Sequence, residues 1–402
     1  MKIMLFTSVY PSRNAARGAT PVVHYFAMEW AAMGHHVHVF HMEPSFPALF
    51  YLAGKLFGKR LQSRLGYDVP TRVPEEYDER RDGVEVTHLL LKKAKPHGRF
   101  PKGQIQRALA RIDACIVKDG MPDVFVGHWD NPQLELLHAL KSRYNRPTCL
   151  VYHSNRFSHF RKLYGSGTDS LVNDVDLAGF RNVAARVAYE REFGKASRSF
   201  IAASGVSGTF IAEGMKYERE ISDVRRFVYV GSLIGRKYPS AVITALSRAY
   251  QGDQFEVTYI GEGDEKKRIQ QSFESSGCKG RLYFAGRIPR NEVIGYLKQS
   301  DVFVMISKGE IFGLVYLEAM ALGCITIASR NEGIDGIIEN GVNGFLCEAG
   351  NADELAYIIS EIRKMTPEAL KDMSERARQT AIEYSDSRVA ARYLEELERI
   401  QH

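Results

Sequence analysis

Between Asp301 and Ser329 the chain reads DVFVMISKGEIFGLVYLEAMALGCITIAS. DVFVMIS is an apolar run of buried-strand type, the stretch from Gly313 to Ala321 has the apolar spacing of a helix, and ITIAS is a second strand-like run. Strand, loop, helix and strand in that order are one turn of a doubly wound α/β sheet. Glu310 and Glu318 stand eight positions apart around Gly313, and each is costly to bury without a partner. Ligands of open α/β sheets bind outside the carboxyl ends of the strands, where the loop carrying Glu310 lies. The backbone N–H groups of Gly313, Leu314 and Val315 would face an anion bound at the helix start, and Gly313 lets it approach closely. Glu318 is expected about one and a half turns into the helix, roughly 12 Å from Glu310 if the interval is helical throughout. Carboxylates accept hydroxyl protons. The spacing therefore fits an elongated ligand with hydroxyl-rich groups on either side of a phosphate, as in a nucleoside diphosphate sugar.

The same alternation extends in both directions. KIMLFTSVY, VHVFHM, PDVFVGHW, PTCLVYHS and RSFIAAS read as strands in the first half, separated by the helical patterns PVVHYFAMEWAAMGHH, NPQLELLHALKSRY and VAARVAYEREFGKAS. After Ser204 the pattern restarts with the strands RRFVYVGSLI, FEVTYIGEG and RLYFAGRI and the helices YPSAVITALSRAY, DEKKRIQQSFESSG and PRNEVIGYLKQS. Strands alternating with helices predict parallel sheets. We expect two α/β domains, 1–205 and 206–385, with a C-terminal helix over 386–402, N-capped by Asp386 or Ser387, crossing back onto the first. A nicotinamide enzyme is disfavoured, because SRNAARGAT after the first strand and IGEGDE after a later one both lack the three-glycine fingerprint.

Composition agrees with a soluble two-domain protein: 402 residues, 45% hydrophobic and 25% charged. No run approaches ~18 consecutive apolar residues, and the N-terminus passes from a strand-like segment straight into a polar loop, so a cytoplasmic protein is expected. Five scattered cysteines without a CxxC spacing argue against a disulfide framework and against a zinc site. The net charge of +6 is uneven: residues 1–200 hold 29 Lys+Arg against 19 Asp+Glu. An anionic partner is expected to meet that half, and nothing indicates a nucleic acid.

The Glu310–Glu318 segment resembles the E-x-F-G-x-x-x-x-E motif of the retaining glycosyltransferases of family four, which have the GT-B fold. YVGSLIGRK, YIGEGDE, LYFAGRIPRNEVIGYLKQSDVFVMIS and LEAMALGCITIASRNEGIDGIIENGVNGFL follow in that family's order, and MLFTSVYP, RGATP, GHHVHVF and FVGHWDNP match more loosely. The resemblance implies two Rossmann-like, doubly wound parallel-sheet domains facing across a cleft. It implies a hexosyltransferase that retains anomeric configuration, moving a sugar from a nucleotide diphosphate sugar, a UDP-sugar by preference, to a hydroxyl of a glycan or lipid-linked glycan. Carried over by position, Glu318 would hold the ribose hydroxyls, Glu310 would lie near the transferred sugar, and Lys237 would meet the pyrophosphate. His128 would stand near the reacting sugar, and Gly18 would face sugar and phosphate; Gly313 and Leu314 supply the helix start. The family's arginine five residues before the lysine is here Ser232, with Arg236 beside Lys237 instead. His153 and Asp130 are further strand-end candidates. No cofactor and no metal are expected, since no D-x-D cluster follows a strand in the donor half. A nucleotide-sugar epimerase of the same fold and a non-catalytic sugar-binding subunit are the competing readings.

PSFPALFYLAGKLFGKRLQSR sets Leu49, Leu52, Ala53 and Leu56 at helical spacing, with Lys55 and Lys59 on another face, and LKKAKPHGRFPKGQ adds a basic cluster from Lys92 to Lys102. Two readings of this segment stand: a helix lying on the inner face of an anionic membrane near a lipid-linked acceptor, or an amphipathic helix packed on its own domain with solvated lysines outside.

Overall fold

The computed structural model describes residues 1–14, 21–96 without 66–70, and 98–401; the side chains of 59–65 are not among the features described. The chain divides into two compact units. The first comprises Met1–Arg181, Ala185–Ala202 and Ala390–His402, and the second comprises Asn182–Ala184 and Ala203–Val389.

The first unit holds eight strands: β1 (Lys2–Thr7), β2 (His36–Ser45), β3 (Tyr77–Arg81), β4 (Val84–Lys92), β5 (Val124–His128), β6 (Thr148–Tyr152), β7 (Leu177–Phe180) and β8 (Ser199–Ile201). They form one sheet in the order β3-β4-β2-β1-β5-β6-β7-β8. β5 and β6 are buried at every position, as expected of strands covered on both faces. Phe6, Phe40, Phe125, Leu150, Tyr152 and Phe180 are core residues between sheet and helices.

One expectation is corrected here. The sheet is not wholly parallel, because β3 pairs antiparallel with β4. The hairpin turns on Asp82 and Gly83, both at positive φ (49° and 81°). An Asp-Gly pair between strand-like runs is the ordinary signal of such a turn, and it stands in the sequence as RRDGVEV.

The second unit holds β9 (Arg226–Val230), β10 (Glu256–Ile260), β11 (Arg281–Gly286), β12 (Val302–Val304), β13 (Ile325–Ser329) and β14 (Phe345–Cys347). Their order is β11-β10-β9-β12-β13-β14, and every pair is parallel. Successive strands step outward from β9 in one direction to β11, then return to its other side at β12. The gap between β9 and β12 is thus the topological switch point, where loops leave in opposite directions and open a crevice. Both units are Rossmann-like, and together they constitute the GT-B fold.

The last helix, Asp386–Glu398, begins one residue later than its cap. Ser385, not Asp386 or Ser387, takes the cap role: its Oγ accepts the N–H of Arg388 at 3.4 Å. Within the first unit, Tyr393 of this helix packs edge-on against Trp30 and Phe26, with ring centroids 4.9 and 5.3 Å away.

Candidate active site at the carboxyl edge of the second sheet

The loop after β9 and the loop after β12 meet at the switch point. The first ends in a 3-10 turn, Gly235–Lys237, which delivers Lys237 to the second. Lys237 Nζ lies 3.0 Å from Glu310 Oε2, with both side chains largely buried. Ser307 Oγ donates to the same carboxylate oxygen at 3.5 Å, and the Glu310 N–H donates to Glu332 Oε2 at 2.9 Å. The hydroxyl of Tyr316 donates to the Met305 carbonyl at 2.7 Å, tying the helix that follows to the end of the strand before it.

Arg236 is a brace between the two loops. Its Nη1 donates to the carbonyls of Lys308 (3.1 Å) and Gly309 (3.3 Å), and its own carbonyl accepts the Lys308 N–H at 2.8 Å. Ser232 is exposed, and its carbonyl accepts the Ile234 N–H; it brings no charge to the place of the family's arginine. The IGEG segment lies directly on this loop. A Cβ on Gly261 would fall 2.0 Å from the Gly231 carbonyl oxygen, and one on Gly263 2.0 Å from that of Leu233. Those glycines let backbone pack on backbone, fixed by the bonds Gly231 N–H to Ile260 O and Leu233 N–H to Glu262 O, each 2.9 Å.

The helix of the motif spans Leu314–Ala321, with Gly313 as its N-cap at φ 76° and no side chain capping it. A Cβ on Gly313 would also stand 2.4 Å from the Tyr316 ring. Left-handed backbone and a ring against the α-carbon together require glycine. Because Gly313 breaks the helix, the interval from Glu310 to Glu318 is not helical throughout, and the helical estimate of its length does not apply. Glu318 is the fifth helical residue, just over one turn in. It is 5% exposed. Its partner is Arg290, at the start of the helix Arg290–Gln299, whose Nε donates to Glu318 Oε1 at 2.5 Å. Burial pushes the Glu318 carboxyl above its usual range, and the guanidinium pulls it part of the way back.

Arg290 was not anticipated. Its only local signal is a basic residue at the first helical position after the strand RLYFAG, and nothing nearby marks a partner 28 positions away. Glu332, Ser307 and Tyr316 were likewise missed. Their roles are to orient, through hydrogen bonds that no spacing rule reveals.

The expected residues of the first unit lie at the carboxyl edge of its own sheet. His128, the last residue of β5, is fully buried. Its Nδ1 is 2.9 Å from His153 Nε2, and its Nε2 is 3.4 Å from the Tyr393 hydroxyl. Burial, with the Arg181 charge nearby, holds both imidazoles well below their usual range. His153 stacks on Trp129 at 3.8 Å. Asp130 lies 3.5 Å from His159 Nε2. Gly18 falls outside the described residues. Among the described residues, the group with metal-ligating atoms in proximity is His38, Cys115 and Asp119, within 4.8 Å of one another in the first unit.

Comparison with known proteins follows the same division. Residues 213–380 match the family model described as glycosyl transferases group 1. N-acetyl-alpha-D-glucosaminyl L-malate synthase of Bacillus anthracis is 27% identical over 195 residues, 46% of this chain and 50% of that protein. The chain thus spans about half the length of this relative. A lipopolysaccharide core biosynthesis glycosyltransferase of Rhizobium meliloti, LpsE, is 25% identical over 68% of this chain and 75% of its own. Among solved structures, Anabaena HepE in complex with UDP superposes with a TM-score of 0.65 at 19% identity, covering 99% of this chain and all of that one. The segment that carries Lys237, Glu310, Gly313 and Glu318 thus lies wholly within the stretch that matches the glycosyl transferases group 1 family model, and the whole chain has the GT-B fold.

Proposed function

We propose that this chain moves a sugar from a nucleotide diphosphate sugar, a UDP-sugar by preference, to a hydroxyl of a glycan or lipid-linked glycan, with retention of configuration. The observation that carries the reading is the Lys237–Glu310 pair beside an uncapped helix start at the β9/β12 switch point. Lys237 and the amides at Leu314 and Val315 are the groups suited to a diphosphate, whose charge grows as the sugar leaves. Glu310 is placed to receive hydroxyls of the transferred sugar, and Glu318, oriented by Arg290, those of the ribose. The remaining work is positioning the acceptor hydroxyl against the anomeric carbon. No covalent nucleophile is assigned.

The solved relative that carries UDP supports the choice of uridine. The relative acting in lipopolysaccharide core biosynthesis supports a surface-glycan acceptor. We place the protein on the inner face of the membrane. Among the described residues no helix is long and apolar enough to cross a membrane. Support comes instead from the helix Ala48–Leu65, whose Leu49, Leu52, Leu56 and Phe57 are 77, 51, 65 and 55% exposed.

Incubation with a panel of nucleotide sugars tests the central claim, because slow donor hydrolysis needs no acceptor. A UDP-sugar should be hydrolysed faster than its GDP and ADP counterparts. No hydrolysis of any donor, together with no binding of UDP, would overturn the reading; acceptor-independent inversion at a sugar carbon would point to the epimerase instead.

A further inference from the structure

Lys93 follows β4 directly, and its N–H donates to the Ser45 carbonyl at 2.8 Å, so the side chain leaves from the carboxyl edge of the first sheet. The residue is 8% exposed. Its Nζ stands 4.4 Å from the centroid of the Phe100 ring. Among the described residues no carboxylate lies within 4 Å of this ammonium and no side-chain hydrogen bond holds it. A lysine that merely covers apolar surface keeps its charged head in water. Here the head is largely desolvated against a ring, and burial pushes it down to about 8, with Asp130 opposing. Asp130 is not its ion-pair partner: it faces His159, which it holds above the usual imidazole range.

The surroundings are built, not incidental. The loop after β4 is fastened to the loop after β5 by Asn131 Nδ2 donating to the Gly98 carbonyl at 3.1 Å and by Arg99 pairing with Glu135 at 2.6 Å. The Tyr164 hydroxyl donates to the Asp130 carbonyl at 3.0 Å and closes the far side. Lys93 therefore sits at the carboxyl end of a parallel strand, where ligands of such sheets bind, with a charge that among the described residues feels Asp130 at a distance but meets no carboxylate within 4 Å.

We infer that Lys93 is an oxyanion subsite for the acceptor, whose sugar or aglycone carries a phosphate or carboxylate group there. This rests on reading the first unit as the acceptor side. A lysine serves as a point charge for either group, and an oxyanion brought to it restores the missing pairing of a buried cation.

The test is acylation of the full-length protein by a small N-hydroxysuccinimide ester, read residue by residue by mass spectrometry. It is run in sodium chloride, inorganic phosphate or malonate at equal ionic strength, with Lys118, 83% exposed, as internal control. Labelling of Lys93 should slow about tenfold at an anion concentration ten times its Kd, with Lys118 unchanged. Protection by phosphate alone assigns a phosphorylated acceptor, and protection by malonate alone a carboxylated one; protection by both supports the subsite for either group. The thermal shift given by the protecting anion should vanish in Lys93→Met and persist in Lys93→Arg. Equal slowing of Lys93 and Lys118, no slowing of either, or a Lys93 that the reagent never reaches would each overturn the inference. UDP binding, measured separately, reads the donor assignment. Its failure would sink the proposed function while leaving protection at Lys93 as found.

Discussion

Glu310 and Glu318 meet the cost of burial in different ways, and their variants should fail differently. The cation of Glu310 comes from Lys237, across the switch point, and on the proposed reading an incoming diphosphate would compete for that same ammonium. Lys237→Ala should lower turnover by ~10²–10³, the scale of removing a donor aimed at developing charge. A variant that keeps most of its turnover in steady-state kinetics would show that backbone amides carry the anion alone. If Glu318 holds the ribose as proposed, Glu318→Ala should chiefly raise the donor KM, whereas Glu310→Ala should chiefly lower kcat. The reverse pattern would exchange their roles. Arg290 adds a pH signature. Burial raises Glu318 and Arg290 opposes it, with burial prevailing. A carboxyl raised in the fold has its stabilising contribution intact below the ordinary carboxylate range and loses it as pH climbs through the raised value. On the proposed reading the ionised form is the one that accepts ribose hydroxyls, and raising the carboxyl further depletes it at low pH. Arg290→Leu should therefore move the acidic limb of the donor kcat/KM profile to higher pH, and Arg290→Lys should undo part of that move; an unmoved limb would mean that Glu318 does not titrate there. The glutamates and Gly313 could be singled out because they share one short strand-loop-helix run, and Lys237 came from the family resemblance of YVGSLIGRK. Arg290 was not, because only the fold brings positions 290 and 318 together.

Among the elements, the helix Ala48–Leu65 departs furthest from its pattern. Its Tyr51 and Gly54 are buried, and the Tyr51 hydroxyl accepts the Phe46 N–H at 2.9 Å, so one face is packed on its own unit. The opposite face carries Leu49, Leu52 and Leu56 at three- and four-residue spacing into solvent, and Phe57 joins them where the backbone leaves helical geometry (φ −129°). Packing on the domain explains the first face and leaves the second uncovered. Residues 48–65 contain four Lys+Arg and no Asp or Glu, the composition of a segment that lies on an anionic bilayer. Each basic side chain near such a surface adds about 1 kcal/mol, and salt screens it. The protein should sediment with vesicles containing anionic lipid but not with neutral ones. Binding should weaken as salt rises, and Leu52→Ser with Leu56→Ser should reduce it more than tenfold. Indifference of the wild type to anionic vesicles at low salt would leave this face without its proposed role. The alternation of apolar residues announced the helix, but it could not tell a face turned inward from one turned outward.

For the molecule as a whole, two Rossmann-like units were legible from the alternation of strand and helix, since parallel strands buried on both faces must read as apolar runs. The ownership of the chain ends was less so. Residues 390–402 belong to the first unit although the chain reaches them from the second, and the reason is tertiary. Ala390 accepts the Trp30 indole N–H at 2.9 Å. Tyr393 is 1% exposed and packs on Phe26, Trp30 and Phe200, while Leu397 is wholly buried. Replacing a buried aromatic side chain by alanine costs about 3–5 kcal/mol, a large share of the ~5–15 kcal/mol that holds a domain folded. Tyr393→Ala also leaves a cavity beside His128, whose Nε2 faces the tyrosine hydroxyl at 3.4 Å. The expected result in calorimetry is a lowered unfolding transition for the first unit, with the proposed nucleotide binding by the second retained. Proteolysis should then cut first within residues 1–181. A variant that unfolds at the wild-type temperature would show that the last helix is an appendage and not part of that unit's core; loss of UDP binding would show that the two units unfold as one.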